Sequence, residues 1–314
     1  MPSNADTKWW YRPPVSTSLE LFLPSRKLHV VGCVLALLAL ATGCHGDAGA
    51  LLTRLDDSRQ LAADLRVQFA KAADASNRAV MADTDQASIA FASDAEKAVQ
   101  LVESDVAALS PLLQGLGFTK ESGFLDDFRK HFGDYRKVDG EVLTLAVENT
   151  NLKAQQLSFG PARQAADGFR DSLGNIVSTV AAKDRCGAEN LSSQATLAVR
   201  DIQVLQAPHI AEPDDAAMTR MEQEMARLDQ AARDALKSLT ELAPKAAPAT
   251  ATALAALDRF KDVSAQIVKL SRRNSNVRSL DLSLRTKPAL TAACDDSLRA
   301  VQEALAQEGS KATR

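Results

Sequence analysis

Met218-Thr-Arg-Met221-Glu-Gln-Glu-Met225-Ala-Arg-Leu228-Asp-Gln-Ala-Ala232-Arg-Asp-Ala235-Leu-Lys-Ser-Leu239-Thr-Glu-Leu242 decides the fold. Its numbered apolar residues are spaced alternately three and four apart, which is a heptad seam. The charges fall on the opposite face. Such a helix buries one stripe against neighbours crossing at a shallow angle, as in a four-helix bundle. The heptad spacing makes the methionines core residues rather than an adaptable binding surface.

The same alternation recurs in Ala256, Phe260, Val263, Ile267, Leu270 and in Phe128, Phe132, Tyr135, Val138, Val142, Leu145. Aromatic residues make up only 4% of the 314 residues, and no glycine lies between Gly187 and Gly309. A β protein needs more turn residues and more aromatics than that. The fold class expected is all-α. Breaks are legible at Ala82-Asp-Thr-Asp85, in the glycine-containing stretch from Leu113 to Gly123, and at the proline-bounded segments Ala207–Pro213 and Pro244–Pro248. Glu148-Asn-Thr-Asn151 and Arg273-Asn-Ser-Asn276 read as Asn-rich turns that cap the helices after them.

These breaks repeat. Shifted by 125 positions, Leu145, Asn149, Asn151, Leu157, Ser158, Asp171, Ser172 and Leu173 meet identical residues without a gap. One helix earlier, a shift of 127 aligns Leu101 with Leu228; earlier still, a shift of 122 aligns Arg78 with Arg200. The expectation is two tandem up-and-down four-helix bundles, at 44–185 and 186–314, behind an N-terminal signal or anchor segment at 1–43. Two arrangements stay open at the seam. Either Gly187 is a hinge, or one long helix from about Leu152 to Gln206 stacks the units end to end.

Arg26 and Lys27 precede the apolar run Val30–Ala41, and Thr42-Gly43-Cys44 follows. The run is short for a membrane span, which needs ~20 apolar residues. It fits a signal peptide. The ending resembles a bacterial lipobox, with Cys44 as the lipidated residue, although Ala41 stands where leucine is usual. An uncleaved anchor and cleavage without lipid are the alternatives. Met1 to Pro24 is long for the leading segment of a signal peptide, and a start further downstream would explain it. A protein exported this way sits on the periplasmic side of the envelope, held to the membrane by its N-terminal lipid or anchor. Cleavage before Cys44 leaves 33 Lys+Arg against 38 Asp+Glu. No basic stripe offers itself to nucleic acid.

Of the four cysteines, only Cys186 and Cys294 lie in the helical part. In an oxidising compartment they could form a disulfide, if unit two places them at similar height on its first and fourth helices; two buried inert thiols are the alternative. Neither has a CxxC partner, so no zinc site is expected. His209-Ile-Ala-Glu212 offers two metal ligands, and a metal site needs more convergent groups. No nucleophile elbow, P-loop or HExxH motif occurs, so the reading is non-catalytic, with no cofactor.

Val142-Leu-Thr-Leu-Ala-Val-Glu-Asn-Thr-Asn-Leu-Lys-Ala154 resembles the third-to-fourth helix junction of methyl-accepting chemotaxis receptor sensor domains. Ile267–Val277 resembles a second copy of it. Gln206–Glu212, followed by the seam from Met218, resembles their first-to-second helix turn. The resemblance covers most of residues 50–310. It implies a helical bundle outside the membrane, often a homodimer, that reads small organic ligands or a binding protein. It also implies carboxylate ligands held by arginines on bundle helices, for which Arg78 and Arg200 are the candidates. Unlike that family, the sequence shows no second span, linker or signalling coiled coil after the bundles. Signal output would therefore fall to a receptor partner. A structural envelope lipoprotein acting through protein contacts alone is the alternative function.

Overall fold

The computed structural model describes the backbone of residues 28–312 and the side chains of residues 49–311. The leader at 1–43 and Cys44 lie outside the residues whose side chains are described. Contacts divide the chain into Met1–Thr53 and Arg54–Arg314.

Among the described residues every regular element is helical. The α-helices are α1 (Leu28–Val80), α2 (Asp85–Gly115), α3 (Thr119–Glu148), α4 (Thr150–Leu157), α5 (Arg163–Ser178), α6 (Arg185–Ala211), α7 (Asp215–Leu242), α8 (Ala247–Arg273), α9 (Ser275–Asp281) and α10 (Lys287–Ala312). A π-helical turn, Ser158–Ala162, joins α4 to α5, and another, Leu282–Thr286, joins α9 to α10. The heptad seam lies where expected. Met218, Met225, Leu228, Ala232, Ala235 and Leu239 are buried on α7.

Several connections are shorter than the glycines and prolines suggest. Helix α2 runs through Gly115 and α3 begins at Thr119, leaving a turn around Gly117 at φ +72°. Helix α6 runs through Pro208 to Ala211. The long-helix option across the seam is not what forms: α5 ends at Ser178 and α6 starts at Arg185. Thr84 caps α2 by accepting from the Ala87 N–H, and Asp214 caps α7 by accepting from Ala216 and Ala217.

The buried residues of Arg54–Arg314 sort into cores that do not follow the halves of the sequence. One core joins Leu65 and Phe69 of α1, Val102 and Leu109 of α2, Phe128 and Tyr135 of α3, and Leu298 and Val301 of α10. The other joins Phe169 and Leu173 of α5, Val199 and Ile202 of α6, Leu228 and Leu239 of α7, and Leu257 and Phe260 of α8. The last helix of each sequence unit therefore lies in the core of the other. In the first core Phe69 meets Phe128 and Tyr135 edge-on, with ring centroids 6.0 and 5.1 Å apart.

The exchange passes through two single residues. Asn149, between α3 and α4, and Asn274, between α8 and α9, are the non-glycine residues with positive φ among those described, at 51° and 54°. Asparagine tolerates this left-handed conformation better than most residues. The helices that start there cap each other. The Thr150 N–H donates to Ser275 Oγ and the Ser275 N–H donates to Thr150 Oγ1, both at 3.0 Å. The Asn151 N–H donates to Asn276 Oδ1 and the Asn276 N–H to Asn151 Oδ1, both at 3.1 Å. Asn151 Nδ2 donates to Asn274 Oδ1, and Asn276 Nδ2 to Asn149 Oδ1. The shift of 125 seen in the sequence is thus a local two-fold pairing. Each motif caps the helix of the other copy rather than its own, since neither Asn149 nor Asn274 makes a side-chain cap.

Burial also corrects the register of the first two helices of each repeat. Leu65, Phe69, Ala72 and Ser76 of α1 match Ala195, Val199, Ile202 and Gln206 of α6, 130 positions on. Ser88, Val102 and Leu109 match Met218, Ala232 and Leu239 in burial or near-burial at the same offset. The offset drops to 125 after the α2–α3 and α7–α8 connections, where Phe128, Tyr135 and Val142 match Ala253, Phe260 and Ile267. At an offset of 130, Arg78 falls on Pro208 and Arg200 on Ala70, so the two arginines are not equivalent.

Cys186 is exposed on α6 and Cys294 is buried on α10, and both are free thiols. No bond between them is possible here, because the exchange puts Cys294 in the first core while Cys186 stands at the far end of a helix of the second. Burial, with help from Asp134, pushes the Cys294 thiol up to about 12.

Candidate functional site: two repeat-related clefts

Repeat registration brings two clefts into correspondence. The first, about 740 Å³, opens between α2 and α3. The second, about 440 Å³, opens between α7 and α8 over Ile202 of α6. Gln100 of the first corresponds to Gln230 of the second at the 130 offset. Arg136, Asp139, Gly140 and Leu143 correspond to Lys261, Ser264, Ala265 and Val268 at the 125 offset. Small side chains, Gly140 in the first and its counterpart Ala265 in the second, line both clefts.

The floor of the first cleft holds a buried ion pair. Lys287 Nζ lies 2.6 Å from Asp139 Oδ1, and each side chain is 3% exposed. Ser76 Oγ donates to the same carboxylate oxygen at 2.6 Å and accepts from Lys287 at 2.5 Å. The ammonium also lies 5.5 Å from the Tyr135 ring centroid. Burial pushes Lys287 down from the ordinary lysine range, against the pull of Asp139. Burial and the Asp139 charge push the Tyr135 hydroxyl up, and that hydroxyl has no hydrogen-bond partner. At the rim Arg136 pairs with Glu103.

The second cleft carries a different polar set. Glu222 is held by Arg272 through Nε at 2.6 Å and Nη2 at 3.0 Å, and by His209 Nε2 at 2.9 Å. The hydrogen bonds from Arg272 lower the Glu222 carboxyl below the usual range, against desolvation and with help from His209. His209 is fully buried, and its Nδ1 lies 2.8 Å from Ser271 Oγ. A serine, histidine and glutamate in line suggest a nucleophilic triad. Ser271 is itself fully buried and donates to the His209 carbonyl at 2.7 Å, so the set holds the α6–α7 turn against α8. Deeper in the same cleft, Asp229 Oδ2 accepts from Arg233 at 3.0 Å and lies 3.5 Å from Lys261 Nζ, while Oδ1 is buried without a partner.

Glu222 makes stability depend on acid in a defined direction. Its folded-state value lies below 4.5, so its contribution is complete above that value and is lost as pH falls through the folded value. Thermal melts should show Glu222→Gln less stable than wild type at pH 7, with the gap closing toward pH 3. A gap that is constant across this range would show that the carboxylate charge contributes nothing.

The residues singled out from the sequence lie elsewhere. Arg78 is exposed, 3.9 Å from Asp74, with its guanidinium 4.1 Å from the Phe91 ring centroid. Arg200 borders a depression of about 20 Å³ beside Asp167 and Arg170. Neither lines a repeat-related cleft. His209 and Glu212 do not converge: Glu212 accepts from the Asp214 N–H, and among the described residues no group of three or more His, Cys, Asp or Glu is placed to hold a metal. Shifts of 122 and 127 over the first two helices of each repeat do not bring the cleft residues together. At offsets of 130 and 125, the pairs Gln100 with Gln230 and Arg136 with Lys261 are the signal that marks them.

Compared with known protein families, curated proteins and solved structures, the chain matches none.

Proposed function

We propose that this chain is a non-catalytic helical binding protein, tethered at the periplasmic face of the envelope, whose two clefts receive small ligands. The observation that carries the reading is the correspondence of the two clefts at repeat-related positions. Both copies of the repeat open between their second and third helices at the same register. Packing alone has no need of matched voids, because cores close to high density where they can. Helix α3 of the first cleft and α8 of the second both end at the crossing, beside Asn149 and Asn274. Anchoring through Cys44 rests on the apolar run and the small residues before that cysteine. Among the described residues no helix is long and apolar enough to cross a membrane.

A ligand that binds the folded chain raises its melting temperature by mass action. We expect a thermal-shift screen of small organic acids, amines and neutral metabolites on the full chain to give hits that disappear when a cleft is filled. Gly140→Leu fills the first cleft, where an added Cβ meets nothing within 4 Å, and Ala265→Phe fills the second. No hit in the wild type, with protein partners captured by crosslinking instead, would overturn this reading in favour of a structural envelope role.

A further inference from the structure

Resting on that reading, we infer that the second cleft selects a primary amine carrying an apolar body, and not an organic acid. Its floor is apolar and closed. Ile202, Met225 and Phe260 are 3%, 7% and 1% exposed, and Val268 continues the wall. An aryl or branched alkyl group covers that floor without leaving polar atoms unpaired.

The polar side of the cleft fixes the other end of the ligand. Asp229 uses Oδ2 for Arg233 and Lys261, and Oδ1 is left buried with nothing to accept from. A buried carboxylate oxygen without a donor is costly, and only a group bearing N–H or O–H relieves it. Lys261 is the movable wall, since its side chain is 61% exposed on a flexible stem. Glu222 adds a second negative charge along the same wall, and its oxygens are already engaged by Arg272 and His209. Arg233 and Lys261 offset the charge of Asp229, and Arg272 that of Glu222, so the orphaned oxygen is what separates ligands. An ammonium can donate to Asp229 Oδ1, and a carboxylate cannot. A quaternary ammonium has the charge but no N–H for Asp229.

The first cleft lacks this arrangement, because Val99 and Ala92 stand where Asp229 and Glu222 stand in the second. The repeat has diverged at the residues that read charge, so the two clefts take different ligands.

Calorimetric titration of the full chain with 2-phenylethylamine tests this, against its N,N,N-trimethyl derivative and 3-phenylpropanoate. The amine should bind at one site and the two analogues at least about ten-fold more weakly, the scale set by one charge-assisted hydrogen bond. Asp229→Asn should weaken the amine by about ten-fold or more, and Ala265→Phe should abolish it. If Asp229→Asn fails to fold, the analogue series on the wild type and Ala265→Phe still decide. Equal or tighter binding of 3-phenylpropanoate, or amine binding unchanged by either substitution, overturns the inference. An acid that binds and is lost in Ala265→Phe would sink the amine assignment while leaving the cleft as a binding site. No binding by any of the three, with a hit elsewhere in the screen, removes the amine assignment alone.

Discussion

Lys287→Met should destabilise the chain by about 3–5 kcal/mol, the usual cost of stranding one member of a buried ion pair. Asp139 is then left in the first core with only Ser76 to donate to it. The second core shows that the position has no inherent need of charge. Ala162 and Ser264 stand where Lys287 and Asp139 stand, and Gln206 bridges Ser158 and Ser264 with neutral hydrogen bonds. Lys287→Met combined with Asp139→Asn should therefore recover most of the loss, since the double variant leaves no buried charge unpaired. Urea unfolding of the two variants and the wild type measures this. Equal stability of Lys287→Met and wild type would show that the pair is not closed from solvent as described.

The second large effect belongs to the crossing. Ser275→Ala removes the acceptor for the Thr150 N–H, and Thr150→Val removes the acceptor for the Ser275 N–H. Ser275 is fully buried, so water cannot replace it. Each substitution should cost about 1–3 kcal/mol. The two hydroxyls also bond each other at 3.1 Å, and either substitution loses that bond. The double variant should therefore cost less than the sum of the singles, by about 0.5–1.5 kcal/mol. Strict additivity would mean that the two helix starts are capped independently, and the reciprocal arrangement would be wrong.

Helix was legible because apolar side chains on Met218–Leu242 and Phe128–Leu145 fall on one face whatever they pack against. The repeat was legible where it carries hydrogen bonds, in the Asn-Thr-Asn and Asn-Ser-Asn motifs, because those polar residues have no periodic substitute. It slipped in the Ala-rich first and second helices. There a shift of 127 differs from the structural 130 by three residues, and 122 differs by eight. Those are about one and two helical turns, so the apolar stripe overlays itself nearly as well. This slip aligned Arg78 with Arg200 and hid the pairing of the cleft residues. The exchange of helices was hidden for a different reason. An amphipathic stripe says that a helix is covered, not by which partner. The length of the connection held the missing clue. A reversal between helices needs about 2–5 connecting residues, and only Asn149 separates α3 from α4.

The exchange builds both cores, so it is the claim to test first. Pulsed electron-spin distances on the full chain, with Cys33→Ser, Cys44→Ser, Cys186→Ser and Cys294→Ala to remove the four native thiols, do so directly. Labels at Arg66→Cys and Asp295→Cys should lie close together, since these side chains pair at 2.9 Å. Labels at Thr196→Cys and Asp295→Cys should lie about 50 Å apart, from helical rise on either side of the crossing. A short 196–295 distance with a long 66–295 distance would place α10 beside α6, as in two bundles that follow the sequence halves, and would contradict the account.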